Sequence, residues 1–129
     1  MSMHEDVIAR IAHPETKVFW EAAARGRLLV PKCTSCGRAH WYPRAVCPHC
    51  GSTAIEMHAA KSTGEVYSYS IMRRAKTPYA IAYVRLSEGA TMMTNIVDCD
   101  FDEIEVGMPV KLIFRDSPEG YPLPMFTKA

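Results

Sequence analysis

The sequence has little that would mark an independent enzyme, and its shortages exclude several classes at once. No apolar run approaches eighteen residues, so no membrane-spanning helix is expected. Residues 1–12 carry charges throughout and lack the apolar core of a signal peptide. No serine sits in a nucleophile-elbow context with a His and an Asp. No glycine-rich phosphate loop is present, and no paired acids show a recognisable catalytic spacing. Charge of one sign is scarce too: 15 Lys+Arg against 14 Asp+Glu leave a net +1. With a sequence pI near 7.7, the chain is far less basic than a dedicated nucleic-acid binder. At 129 residues, 48% hydrophobic and 22% charged, what remains is an ordinary soluble chain of one domain or two very small ones.

Cysteine is sparse, five in all, yet four of the five fall in one repeated device. Cys33-Thr34-Ser35-Cys36-Gly37 and Cys47-Pro48-His49-Cys50-Gly51 are both C-x-x-C-G, offset by fourteen residues with ten between the pairs. Two such pairs can set four sulfurs tetrahedrally around one zinc ion, and each glycine permits the positive φ that turns backbone N–H groups toward sulfur. The competing readings are two disulfides or four free thiols, and the doubled glycine argues against both. A redox reading wants a βαβ context, which is absent. Cys33, Cys36, Cys47 and Cys50 are therefore expected to hold one structural zinc per chain. Such a closed site serves folding rather than Lewis-acid catalysis. His40 and His49 lie nearby but would be redundant as ligands. Reduced thiols point to the cytoplasm. Cys99 lies between Asp98 and Asp100, a setting that raises a thiol's pKa, and a structural role is expected for it.

Charge is divided along the chain. Residues 1–76 carry eleven Lys/Arg and six Asp/Glu, net +5, whereas residues 77–129 carry four and eight, net −4. This hints at oriented contact with an acidic ligand or partner, although such imbalance is common.

A helix is predicted from about Pro14 to Arg25, with Gly26 just past its end and Val18, Ala22 and Arg25 on one face. Phe19 and Trp20 are adjacent and cannot both centre on one narrow stripe: either both cap the ribbon or the next domain, or one of them faces a partner or ligand. Arg27 to Lys32 reads as a strand into the first knuckle, and Ala39 to Val46 returns to the second carrying Trp41, Tyr42 and Arg44. Ser52 to Lys61 is a short strand, and Ser62-Thr63-Gly64 a linker. Beyond it the pattern is all strand: 66–73 with Tyr67, Tyr69 and Ile71 on one face, 79–86, 91–99 and 108–115. Met125-Phe126 forms a short final piece after a turn-rich loop. The turn Arg73 to Pro78 is basic, offering Arg73, Arg74 and Lys76. Five short strands without helical period predict a small closed barrel of OB type. The expected fold is thus mainly β: an N-terminal helix and zinc ribbon in residues 1–61, then a small OB-fold barrel in residues 62–129.

These residues resemble the DUF35 family along nearly the whole chain. The resemblance rests on Phe19-Trp20-Glu21, Leu28 to Gly37, Tyr42-Pro43-Arg44 and Cys47 to Gly51. It continues through Thr63-Gly64-Glu65-Val66, Tyr83-Val84, Leu86, Glu88-Gly89, Val106 to Val110 and Pro124 to Phe126. It implies a rubredoxin-like zinc ribbon before the OB-fold, and an accessory subunit of acyl-CoA enzymes, joined to thiolase-like proteins, to a thiolase with a hydroxymethylglutaryl-CoA synthase, to MaoC-like hydratases, or to aldolases of steroid side-chain CoA thioesters. It also implies acyl-CoA as a ligand.

Three functional readings follow. The first is a non-catalytic scaffold that docks such a partner and helps hold its acyl-CoA, with Phe19, Trp20, Trp41, Tyr42, Arg44, Arg73, Arg74 and Lys76 as contact residues. For the basic turn, a merely solvated loop is the stronger reading. The second is nucleic-acid binding through Tyr67, Tyr69 and a cationic groove, which the near-zero charge disfavours. The third is an independent enzyme, for which the acid–base inventory is thin. Self-association without a partner stays open.

Overall fold

The computed structural model describes residues 13–129; the charged segment before them, residues 1–12, lies outside the described residues. Helix α1 (Lys17–Ala24) is the first element of the described residues and starts three residues later than the proline signal predicts. His13 to Thr16 forms a turn instead. The Thr16 N–H donates to the His13 carbonyl at 2.9 Å, and the Thr16 hydroxyl bonds both His13 backbone groups. Local bonding of this kind competes with helix. The far end is as expected. Gly26 takes φ +77°, its N–H reaches the Ala23 carbonyl, and the Arg27 N–H reaches that of Ala22, closing a Schellman motif. The buried face is Phe19, Ala22 and Ala23, while Val18, expected on the apolar stripe, is exposed.

β1 (Leu29–Cys33) and β2 (Ile55–Ala59) pair antiparallel from Leu29↔Ala59 to Cys33↔Ile55. Between them the two knuckles run without regular structure, touching β1 through one bridge, Lys32↔Ala39.

Five strands then close a barrel: β3 (Thr63–Met72), β4 (Tyr79–Leu86), β5 (Thr91–Ile96), β6 (Pro109–Asp116) and β7 (Pro122–Lys128). Their order around the barrel is β3-β4-β5-β7-β6, the 1-2-3-5-4 arrangement of an OB-fold. Thr63 and Gly64 are not linker. They pair with Lys111 and Val110 of β6, and Gly64 also pairs with Leu86 of β4. A Cβ on Gly64 would lie 2.5 Å from the Arg85 carbonyl oxygen, so the two backbones meet where only hydrogen fits.

Two expectations fail for identifiable reasons. Strict alternation puts Val66 and Ile71 on opposite faces of β3, yet both enter the core. A bulge at Tyr67 shifts the register between Val66↔Val84 and Ser68↔Tyr83, and every later side chain changes face. The final strand is seven residues rather than two, despite Pro122 and Pro124. The Phe126 carbonyl accepts from the Val97 N–H on the β5 side of the strand. Pro122 and Pro124 share that parity, so their missing N–H groups fall on the same flank, where β5 and β7 pair only at Ile96↔Phe126. On the other flank β7 pairs with β6 at all seven positions.

One hydrophobic cluster runs from Phe19, Leu28 and Val30 through Val66, Val84, Met92 and Val110 to Phe126. The helix and ribbon therefore share their core with the barrel. Among the described residues no helix is long and apolar enough to cross a membrane.

Candidate metal centre and aromatic cleft

The two knuckles repeat one geometry. The Gly37 N–H donates to the Cys33 carbonyl and the Gly51 N–H to that of Cys47, both at 2.9 Å, with φ +76° and +79° at the glycines. The chain thereby doubles back and brings the Sγ atoms of Cys33, Cys36, Cys47 and Cys50 within 4.8 Å of one another. Cys33 and Cys50 sulfurs stand 3.6 Å apart, and those of Cys36 and Cys47 3.8 Å. Four thiolates at a zinc–sulfur distance of 2.3 Å would be spaced about 3.8 Å apart, so the donor set fits a tetrahedral zinc ion. The His49 N–H points at the Cys47 sulfur at 3.4 Å. The Cys36 backbone N–H is the leading reason that the Cys33 thiol falls to about 6, ahead of the opposing effect of burial. At Cys50 the Ser52 N–H favours the thiolate, but the neighbouring sulfurs and burial push the thiol up to about 11. A zinc ion with four protein thiolates has no open position and supplies folding energy.

The histidines stay outside this group. His49 is exposed, and His40 is buried with its ring centre 6.5 Å from that of His49. Burial first, then His49 and Arg44, lower the pKa of His40 and keep it neutral.

Beside the ribbon, four of the predicted contact residues come together. Phe19 is fully buried, with Trp20, Trp41 and Tyr42 edge-on to it at 5.0, 5.2 and 5.5 Å between ring centres. The Trp20 indole N–H donates to the Tyr42 hydroxyl at 2.7 Å, and Tyr121 of the barrel closes on Trp20 at 5.6 Å. Burial raises the pKa of Tyr42 despite that bond. Both aromatics of the Phe19-Trp20 pair thus serve the chain's own packing, Phe19 wholly and Trp20 in part. With Met92, Met93, Leu123, Pro124 and Met125 they line a cleft of about 240 Å³ between helix and barrel.

The predicted cations do not join them. Arg44 is exposed on the returning loop, and Arg73, Arg74 and Lys76 lie in the β3–β4 turn, where Arg73 pairs with Asp102 at 3.8 Å. Cys99 has a raised pKa as expected, but burial is the first cause and Glu103 the second. Asp100 contributes least. What the sequence reading missed is the barrel's share of the cleft, because Met92, Leu123 and Met125 meet Trp20 only through the folded topology.

Comparison with known proteins identifies both halves. A family described as "ChsH2, rubredoxin-like zinc ribbon domain" matches residues 20–56, and one described as "ChsH2, C-terminal OB-fold domain" matches residues 57–115. A DUF35 domain-containing scaffold protein of Methanothermobacter thermautotrophicus is 36% identical over 98 residues, covering 70% of this chain and 74% of that protein. The chain belongs to the DUF35 family. A probable enoyl-CoA hydratase alpha subunit of Thermomonospora curvata is 38% identical over 117 residues, 86% of this DUF35 chain. The match spans only 37% of that longer relative. The solved structure "Ltp2-ChsH2(DUF35) aldolase" superposes with a TM-score of 0.78 at 35% identity, over 92% of this chain and 97% of that one. A DUF35 protein of Sulfolobus solfataricus shares the fold, with a TM-score of 0.70 at 19% identity, over 98% and 93%.

Proposed function

We propose that this DUF35 chain is a non-catalytic scaffold subunit of an acyl-CoA enzyme. It docks a thiolase-like, hydroxymethylglutaryl-CoA synthase-like or MaoC-like hydratase partner and supplies part of the wall around the acyl-CoA. The observation that carries this is the aromatic cleft. It is apolar, open, and bordered by packing residues rather than by any acid–base pair among the described residues. The names of the relatives favour the same reading, since one is a scaffold protein, another a hydratase alpha subunit, and a third is named with an aldolase.

In this reading Cys33, Cys36, Cys47 and Cys50 hold one structural zinc, and the ribbon it fastens sets Trp41 and Tyr42 beside Trp20 of helix α1 at the cleft. The acyl-pantetheine portion packs on those rings. Of the four predicted contact cations, Arg44, Arg74 and Lys76 have no ion-pair partner among the described residues; Arg44 is the one left to meet the CoA phosphates, and Arg74 and Lys76 are left for the partner. Cysteines kept as zinc thiolates suit the reducing cytoplasm.

The test is calorimetry with acetyl-CoA on the isolated chain, the partner and their complex, alongside turnover assays. The complex should bind more tightly than the partner alone, and Trp20→Ala should remove about tenfold of that gain. Acyl-CoA turnover by the isolated chain would overturn the scaffold reading.

A further inference from the structure

The outer face of β3, β4 and β5 carries an apolar band that no part of the described chain covers. On β4, residues 79, 81, 83 and 85 point outward. Tyr83 pairs across to Met93 on β5 and to Ser68 on β3, while Tyr79 pairs with Met72. Tyr67, pushed out by the bulge, is 54% exposed, Tyr83 47% and Met93 56%; Met72 and Tyr79 exceed 40%. One or two such residues on a barrel wall are ordinary. Five on three neighbouring strands, four of them paired in register, form a patch, and patches rich in Tyr and Met with Arg are characteristic of protein interfaces.

The charges around the band describe what covers it. At one end the Arg85 guanidinium lies over the Tyr67 ring, 4.8 Å from its centre, with no carboxylate paired to it among the described residues. At the other end, beyond Tyr79, stands the turn with Arg74 and Lys76. From residue 79 to 85 a strand rises about 20 Å. The complementary surface is therefore apolar at its centre and carries carboxylates about 20 Å apart. At its β5 edge the band continues into the cleft, because Met93 and Asn95 belong to both.

We propose that this face is where a folded acyl-CoA enzyme subunit with an acidic-rimmed apolar patch docks, with Tyr83 and Met93 at its centre. The proposal rests on the scaffold reading above and adds the surface that performs it. The face of the second and third strands of OB barrels also serves single-stranded nucleic acid. Here, however, the cations stand at the ends of the band rather than along a backbone track, and its middle is Met93, Ile81 and Tyr83.

The full chain is mixed with the thiolase-like or MaoC-like hydratase chain that co-purifies with it from its own cells, identified by mass spectrometry. Affinity is measured by biolayer interferometry for wild type, Tyr83→Glu, Met93→Glu and, as an exposed apolar control off this face, Val106→Glu. Both variants on the face should lose about 30-fold or more in affinity, the scale of an interface hot spot, with zinc content and melting temperature unchanged. Arg85→Glu should lose less and flatten the salt dependence. Unchanged affinity in Tyr83→Glu and Met93→Glu would overturn the face while leaving the scaffold reading intact. If wild type binds neither class of enzyme, that reading fails and the docking face with it. Tyr83-dependent binding of a dT15 oligonucleotide, or Tyr83-dependent dimerisation in light scattering, would assign the face to nucleic acid or to a second copy and overturn the proposal.

Discussion

The ribbon and the barrel reach order by different means. Two strands and two knuckles give the ribbon little interior of its own: Cys33 and Cys47 are buried there, while Leu28 and Val30 look toward the shared core. The barrel closes on hydrogen-bonded rungs and an apolar centre, from Val66 and Val84 to Met92 and Phe126. One region depends on ligand chemistry and the other on burial. Phe19, seated among Trp20, Trp41 and Tyr42, is where the two meet.

The sharpest way to separate them is to remove a sulfur. Structural zinc in small ribbons is worth about 10 kcal/mol or more, so Cys36→Ser should abolish ribbon order. Metal analysis should give less than one zinc per chain, and amide spectra should keep barrel resonances while losing those of residues 29–59. One zinc retained in that variant would break the contrast. A core truncation works from the other side. Phe126→Ala should cost about 3–5 kcal/mol in denaturant unfolding, with zinc stoichiometry unchanged in the folded protein. Loss of zinc from folded Phe126→Ala would mean that the regions are not separable. Gly64→Ala is smaller, about 1–3 kcal/mol, because a methyl group must push the Arg85 carbonyl away. The smallest effect is at the junction. Tyr42→Phe removes the acceptor of the Trp20 indole N–H and should cost about 1 kcal/mol, accompanied by a change in Trp fluorescence.

The same contrast governs how much could be read from the sequence. The four-cysteine cluster was legible because its information is local: two cysteines and one glycine fix each turn within five residues. Gly26 was legible for the same reason. The start of α1 was not, because Thr16 bonds back to His13 and the proline signal gives no sign of that turn. The register of β3 was not, since alternation cannot reveal that Tyr67 is the extra residue opposite Tyr83. Pro122 and Pro124 concealed β7, whose strand character depends on which flank their missing donors occupy. The cleft was half legible. Its ribbon wall was expected from adjacent aromatics, whereas Met92, Leu123 and Met125 arrive from segments distant in sequence.

Those two prolines have a further consequence. A barrel fastened along one flank by the single rung Ile96↔Phe126 comes close to exposing a bare strand edge, the feature through which β-proteins template one another into aggregates. On that flank β7 offers two pyrrolidine rings where a visiting strand would need donors. The seam, closed by that one rung, is thus also guarded chemically, and the chain gains resistance to edge-to-edge polymerisation without an additional strand.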